Sequence, residues 1–105
     1  MRVAYHPEFA NDVKRFRGQY AQISGALSVR FRLEINDAIE AIKSSPTSAG
    51  HFLQVESEII RELRRRNLRA FPHFILYAVR ADEIFFGAVI PSRSDPLTWL
   101  SRFAS

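Results

Sequence analysis

Residues 59–90 read IIRELRRRNLRAFPHFILYAVRADEIFFGAVI, and the way this run divides decides the fold. Phe74, Leu76 and Ala78 alternate with Ile75, Tyr77 and Val79, so both faces of this segment are apolar, the pattern of a strand covered on two sides. The polar pair Asp82-Glu83 separates it from a second apolar run, Ile84 to Ile90, and AFPH separates it from a third segment upstream, Ile59 to Arg69. Three strands with such short connections are expected to form an antiparallel meander.

The upstream strand carries Arg61, Arg64, Arg65, Arg66 and Arg69 within nine positions. Period two puts Arg61 and Arg65 with Leu63, and Arg64 and Arg66 with Ile60 and Leu68, so neither face is cleanly apolar. A bulge near Arg66-Asn67 would return Leu68 to the core, and this is the preferred reading; otherwise one end of the strand projects into water. The plainer alternative is that the arginines keep an edge strand soluble.

Working outward, Arg2 to Tyr5 alternate and read as a short strand that runs into a helix, with Pro7 suited to its first turn. Phe9, Val13, Phe16 and Tyr20 form one helical face, leaving Asp12, Lys14, Arg15 and Arg17 pointing elsewhere, and this helix ends near Ile23. Ser24 offers an N-cap for a second, antiparallel helix whose stripe is Leu27, Phe31, Ile35, Ala38 and Ile42, stopping before Pro46. Glu34, Asp37 and Glu40 then form a solvated acidic face. The stretch SSPTSAGH is turn chemistry with little expected function, and PLTWLSRF closes the chain as a short helix or turn that presents Trp99, Leu100 and Phe103 on one side. The expected fold is α+β: an N-terminal strand, a helical hairpin, a three-stranded meander and a short C-terminal helix, with the helices on one face of the sheet.

At 105 residues the chain is one domain, 1–105, with an ordinary share of apolar and charged residues. It has no cysteine, which removes disulfides and thiolate chemistry, and the N-terminus lacks a signal-peptide core, so a cytoplasmic location is expected, without membrane contact. The net charge of +4 favours acidic or polyanionic partners. His6, His51 and His73 share no ligand spacing, so no metal is expected; no glycine-rich loop follows a strand, so no cofactor is expected either. His6 can cap the first helix, His51 falls in the loop, and His73 reads as a partly exposed turn residue rather than a catalytic base.

YHPEF at the first strand-to-helix junction, LRRRNLRAFPHFILY, and AVIPSRSDPLTW together resemble the RelE/ParE superfamily of toxins, over nearly the whole chain and in the family's order. The resemblance implies a small basic toxin of a type II toxin–antitoxin system of the plasmid-stabilisation kind. Its growth inhibition would be neutralised by a cognate antitoxin, short and acidic with a DNA-binding half, in a hetero-oligomer. It matches Arg64, Arg69, Tyr77, Arg93 and Asp95-Pro96 to family positions. Pro91, Ser94 and His73-Phe74 depart from the family pattern, and the tail after Trp99 offers no tyrosine or lysine, so the acid–base equipment of the RNA-cleaving members looks incomplete. The favoured reading is therefore a non-enzymatic ParE-like toxin acting on DNA gyrase. The alternatives are a RelE-like ribosome-dependent mRNA endonuclease and a non-toxic RNA-binding or degenerate member. The residues expected to meet the target are Arg64, Arg66, Arg69, Arg80 and Arg93, lining one end of the sheet; those expected to meet the antitoxin are Phe16, Tyr20, Tyr77 and Trp99.

Overall fold

The computed structural model describes residues 1–53 and 63–103. Strand β1 (Arg2–Tyr5) leads to helix α1 (Phe9–Ala21) and helix α2 (Gly25–Ser44). Strands β2 (His51–Leu53), β3 (Leu63–Asn67), β4 (His73–Arg80) and β5 (Glu83–Pro91) follow, then a C-terminal 3-10 helix (Pro96–Phe103). The five strands form one sheet in the order β1-β5-β4-β3-β2, antiparallel except where β1 lies parallel to β5. The meander and the helical hairpin are as expected. The extra strand β2 replaces the loop expected at His51, whose backbone pairs with Arg65. The start of the expected strand, 59–62 with Arg61, lies outside the described residues.

The helix boundaries follow local chemistry. His6 Nδ1 accepts from Glu8 N (3.0 Å) ahead of α1, and Ser24 Oγ accepts from Ala26 N (3.2 Å) and Leu27 N (3.4 Å) at the start of α2. Phe9 and Phe16 of α1, with Phe31, Ile35, Ala38 and Ile42 of α2, bury their stripes against Ile75, Tyr77 and Val79 of β4. On the other face Leu63, Phe74, Leu76 and Ala78 are covered by the C-terminal 3-10 helix, which contributes Phe103 together with half-buried Trp99 and Leu100. This second cover is why β4 is apolar on both sides.

The bulge expected at Arg66-Asn67 is absent: β3 pairs with β4 without a shift, from Leu63↔Ala78 to Asn67↔Phe74. A bulge lies instead in the next strand pair, β4–β5. Leu76 pairs with Ala88 but Tyr77 with Phe86, so Gly87 is the extra residue of β5. The consequence is a change of face. Ile84 and Phe86 point to the helices, whereas Ala88 and Ile90 point to the 3-10 helix. The ring of Phe103 sits where a side chain at residue 87 would go, 2.1 Å from an ideal Cβ, so only glycine fits beneath it.

Asp12, expected to lie off the apolar face of its helix, is nevertheless buried at 2 % exposure. Beyond the end of β1 the outer flank of β5 has no strand beside it among the described residues, and Asp12 Oδ2 accepts from Val89 N there (3.0 Å). Arg102 of the 3-10 helix donates to both carboxylate oxygens of Asp12 (2.6 and 3.2 Å) and to Gly87 O (3.1 Å), and Arg15 adds a contact to Oδ1 (3.3 Å). One ion pair thus joins α1, β5 and the C-terminal helix.

Asp12→Ala leaves the Arg102 guanidinium and the Val89 N–H without their shared acceptor, and is expected to cost about 3–5 kcal/mol in urea denaturation. In the β4–β5 turn Ala81 adopts φ 48°, a left-handed conformation that strains a residue with a Cβ. Ala81→Gly is expected to raise stability by about 1 kcal/mol, read as a higher urea midpoint at unchanged slope.

Candidate functional site

The five arginines expected at the target surface divide by location. Arg64 and Arg66 face the helix side of the sheet, but the cover there is the segment after α2: Arg64 Nη1 donates to Gly50 O (3.3 Å), and Arg66 Nη1 donates to Ala49 O. Tyr77 donates to Pro46 O (3.3 Å), and its hydroxyl would lie 2.4 Å from a Cβ on Gly50. The stretch expected to be an idle turn is therefore pinned by two guanidinium groups and a tyrosine. This is how β3 carries arginines on an inward face without a bulge: the charges meet backbone carbonyls of the segment after α2.

Arg80 stands at the opposite end of β4 from the β3–β4 turn, where it donates to Phe103 O and packs 5.1 Å from the Phe85 ring. It does not share a sheet end with the others. Arg69 and Arg93 do. Both are exposed, Arg69 in the β3–β4 turn and Arg93 in the turn after β5, and Ser92 N donates to Pro72 O (2.9 Å) to hold the two turns together. Glu34, read as part of a solvated acidic face, instead accepts from Arg69 N (2.7 Å) and Ala70 N (2.9 Å), tethering the β3–β4 turn to α2. Arg65 points to the other face, 3.8 Å above the Phe74 ring and bonded to Asn67.

His73 is not the partly exposed turn residue the sequence suggests. It is 5 % exposed, with its ring 4.4 Å from Phe16 and 5.3 Å from Phe31, and Nε2 lies 3.1 Å from the Tyr20 hydroxyl. Burial pushes its pKa below the ordinary value near 6.5 and that of Tyr20 above its ordinary value. An imidazole sealed in this way does not face the solvent beside Arg69 and Arg93. Among the described residues no three His, Cys, Asp or Glu side chains gather as metal ligands.

Of the residues expected to meet an antitoxin, Phe16 and Tyr77 are core and Tyr20 and Trp99 are half-buried. Among the described residues, one surface open to a partner is a groove of about 640 Å³ between the two helices and the end of β1. Its apolar floor includes Tyr5, Phe9, Val13, Ile35 and Ile39, and its charged residues are Lys14 and Arg17, without a carboxylate. Ile39, Val29 and Leu33 broaden the apolar surface of α2 beyond its buried stripe, and the latter two are about half exposed. That excess width was the available sequence signal for an interaction surface. Among the described residues no helix is long and apolar enough to cross a membrane.

No protein-family model matches the chain, and no curated protein matches it by sequence. Among solved structures it is similar to a chain described as the chromosomal ParDE TA system from P. aeruginosa, with a TM-score of 0.70 over 87 % of this chain and 95 % of that one. The two are 15 % identical, so the likeness is one of fold. At that level it agrees with the resemblance carried by YHPEF, LRRRNLRAFPHFILY and AVIPSRSDPLTW.

Arg64→Ala and Arg66→Ala are each expected to lose about 1–2 kcal/mol of stability as loop carbonyls lose charged donors. Arg69→Ala and Arg93→Ala should stay within about 0.5 kcal/mol of the parent in the same denaturant titrations.

Proposed function

We propose that this protein is a ParE-like toxin of a type II toxin–antitoxin system, which acts by binding an essential macromolecular target, DNA gyrase in the favoured reading, and is neutralised by a cognate antitoxin. The observation that carries the proposal is the groove between α1, α2 and β1, in a fold similar to that of a ParDE chain. Its apolar floor and its Lys14 and Arg17 rim suit an acidic amphipathic segment that folds as it docks, with apolar side chains below and carboxylates meeting the rim. A cationic groove without carboxylates also disfavours docking of a second basic copy of this chain.

The binding mechanism is favoured over catalysis because the buried His73 is withdrawn from the two exposed arginines that could stabilise a reacting phosphate. Those same arginines, in two turns joined at one end of the sheet, support the second reading, a RelE-like endonuclease acting on mRNA at the ribosome. The third reading, a non-toxic RNA-binding or degenerate member, predicts salt-dependent binding without growth arrest.

Induction in a bacterial host is expected to arrest growth, with an SOS response and altered plasmid supercoiling, and co-expression of the adjacent reading frame should restore growth. Site-specific mRNA cuts without SOS induction would favour the endonuclease, and unimpaired growth with soluble protein would remove the toxin reading. Lys14→Glu with Arg17→Glu should weaken antitoxin binding about tenfold or more by titration calorimetry while leaving growth arrest intact.

A further inference from the structure

Two buried side-chain nitrogens have no hydrogen-bond partner among the described residues, Arg80 Nε and His73 Nδ1. Arg80 keeps its bond to Phe103 O, whereas His73 has a second ring nitrogen that can take up a proton. Hydrogen-bond accounting assigns its neutral tautomer. With the proton on Nε2 the ring donates to the Tyr20 hydroxyl and leaves a buried acceptor unpaired; with the proton on Nδ1 it would bury an unpaired donor, which is the costlier arrangement. A further proton must enter at Nδ1, where nothing accepts it.

The position of this residue gives the chemistry a structural consequence. His73 opens β4, and its backbone closes the preceding turn: Leu68 N donates to His73 O (3.0 Å) and His73 N to Phe71 O (2.8 Å). On its other side it pairs with Pro91, next to the Ser92 N–Pro72 O bond that joins the two turns. The groups around the ring are few. Helix α1 supplies Phe16 and Tyr20, with Arg15 on Phe16; α2 supplies Phe31, and its Glu34 reaches the turn backbone at Arg69 and Ala70. The turn itself carries Arg69, and β5 runs on to Arg93. No carboxylate bonds to the imidazole among the described residues, so no counter-charge awaits a protonated ring.

We propose that the β3–β4 turn is an acid-released latch, in which protonation of His73 is accommodated by opening of residues 68–73, so that the turn bearing Arg69 separates from the turn bearing Arg93 while the rest of the sheet stays folded. The sign follows from linkage. The closed latch binds the proton less readily than the open one, so it is fully stable above the ordinary histidine value near 6.5. Its stability falls as the pH drops below that value toward the lower pKa of the closed form, by at most about tenfold in the opening constant per pH unit.

The test is amide hydrogen exchange on the whole chain, corrected for intrinsic rates, between about pH 7.5 and about pH 5. Protection at Leu68, His73 and Ser92 is expected to fall up to about tenfold per pH unit below about 6.5 while that at Ile75 and Val89 holds. In His73→Phe the slope should vanish; in Glu34→Gln protection of Arg69 and Ala70 should drop, with the slope retained. Because His73→Phe can perturb folding, the unmodified protein supplies a second measurement: imidazole nitrogen shifts should report the Nε2–H tautomer at about pH 7.5. The ring should titrate below the ordinary value near 6.5, at the acid end of the range over which protection is lost. An unchanged slope in a folded His73→Phe, an Nδ1–H tautomer, or a loss of protection that includes Ile75 and Val89 would each overturn the proposal.

Discussion

The ion pair between Asp12 and Arg102 is the constraint on which the rest of the structure depends. A five-stranded sheet whose first strand is only four residues long leaves the neighbouring strand half uncovered, because β1 ends at Tyr5 while β5 continues to Pro91. An uncovered N–H and C=O on that flank would each cost free energy unless bonded. Asp12 takes the Val89 N–H and Arg102 takes the Gly87 carbonyl, and the two side chains then satisfy one another. Neither is stable there alone, since a buried carboxylate without its cation, or the reverse, carries a desolvation penalty that nothing offsets. The helix layer, the sheet edge and the C-terminal helix are consequently held by one bidentate contact.

The bulge at Gly87 follows from the same corner. A strand that must bury Phe86 beneath the helices and Ala88 beneath the 3-10 helix has to change parity between them, and an extra residue is the way a strand does this. The residue has no side chain because Phe103 occupies the space above it. Arg102 and Phe103, adjacent in sequence, therefore grip the same corner, one by charge and one by shape. Arg80 adds a donor to the carbonyl of Phe103 from the far side.

This arrangement separates structural cations from available ones. Arg64, Arg66, Arg80 and Arg102 each donate to a backbone carbonyl, whereas Arg69 and Arg93 stand exposed at the end where two turns are bonded together. A basic run in a small protein is thus not one surface. Alternation sends successive arginines to opposite faces, and the loops packed on those faces determine which charges are occupied. The accessible groove lies elsewhere, at the hairpin and β1, so a partner seated there would leave the arginine end open to a different contact.

Much of this was legible in the order of residues. The 3.6-residue stripes of the two helices, Ser24 as a cap, the doubly apolar β4 and the β4–β5 hairpin depend on local periodicity and turn chemistry, which act over a few residues and survive in the sequence as pattern. Other features were not legible. Asp12 reads as an ordinary polar residue of an amphipathic helix because its partners, Val89 and Arg102, are 77 and 90 residues away. His73 beside Phe71-Pro72 reads as a turn histidine because nothing nearby says that Phe16, Tyr20 and Phe31 will close over it. Gly87 looks like any strand glycine until Phe103 is placed above it. The sequence by itself determined the two helices, the doubly apolar β4 and their inward faces, since burial of apolar area is additive along a repeating pattern. Only the tertiary structure decided which polar side chains became interior fixtures, because hydrogen bonds and ion pairs are directional and short-ranged and depend on what the fold brings within about 3 Å.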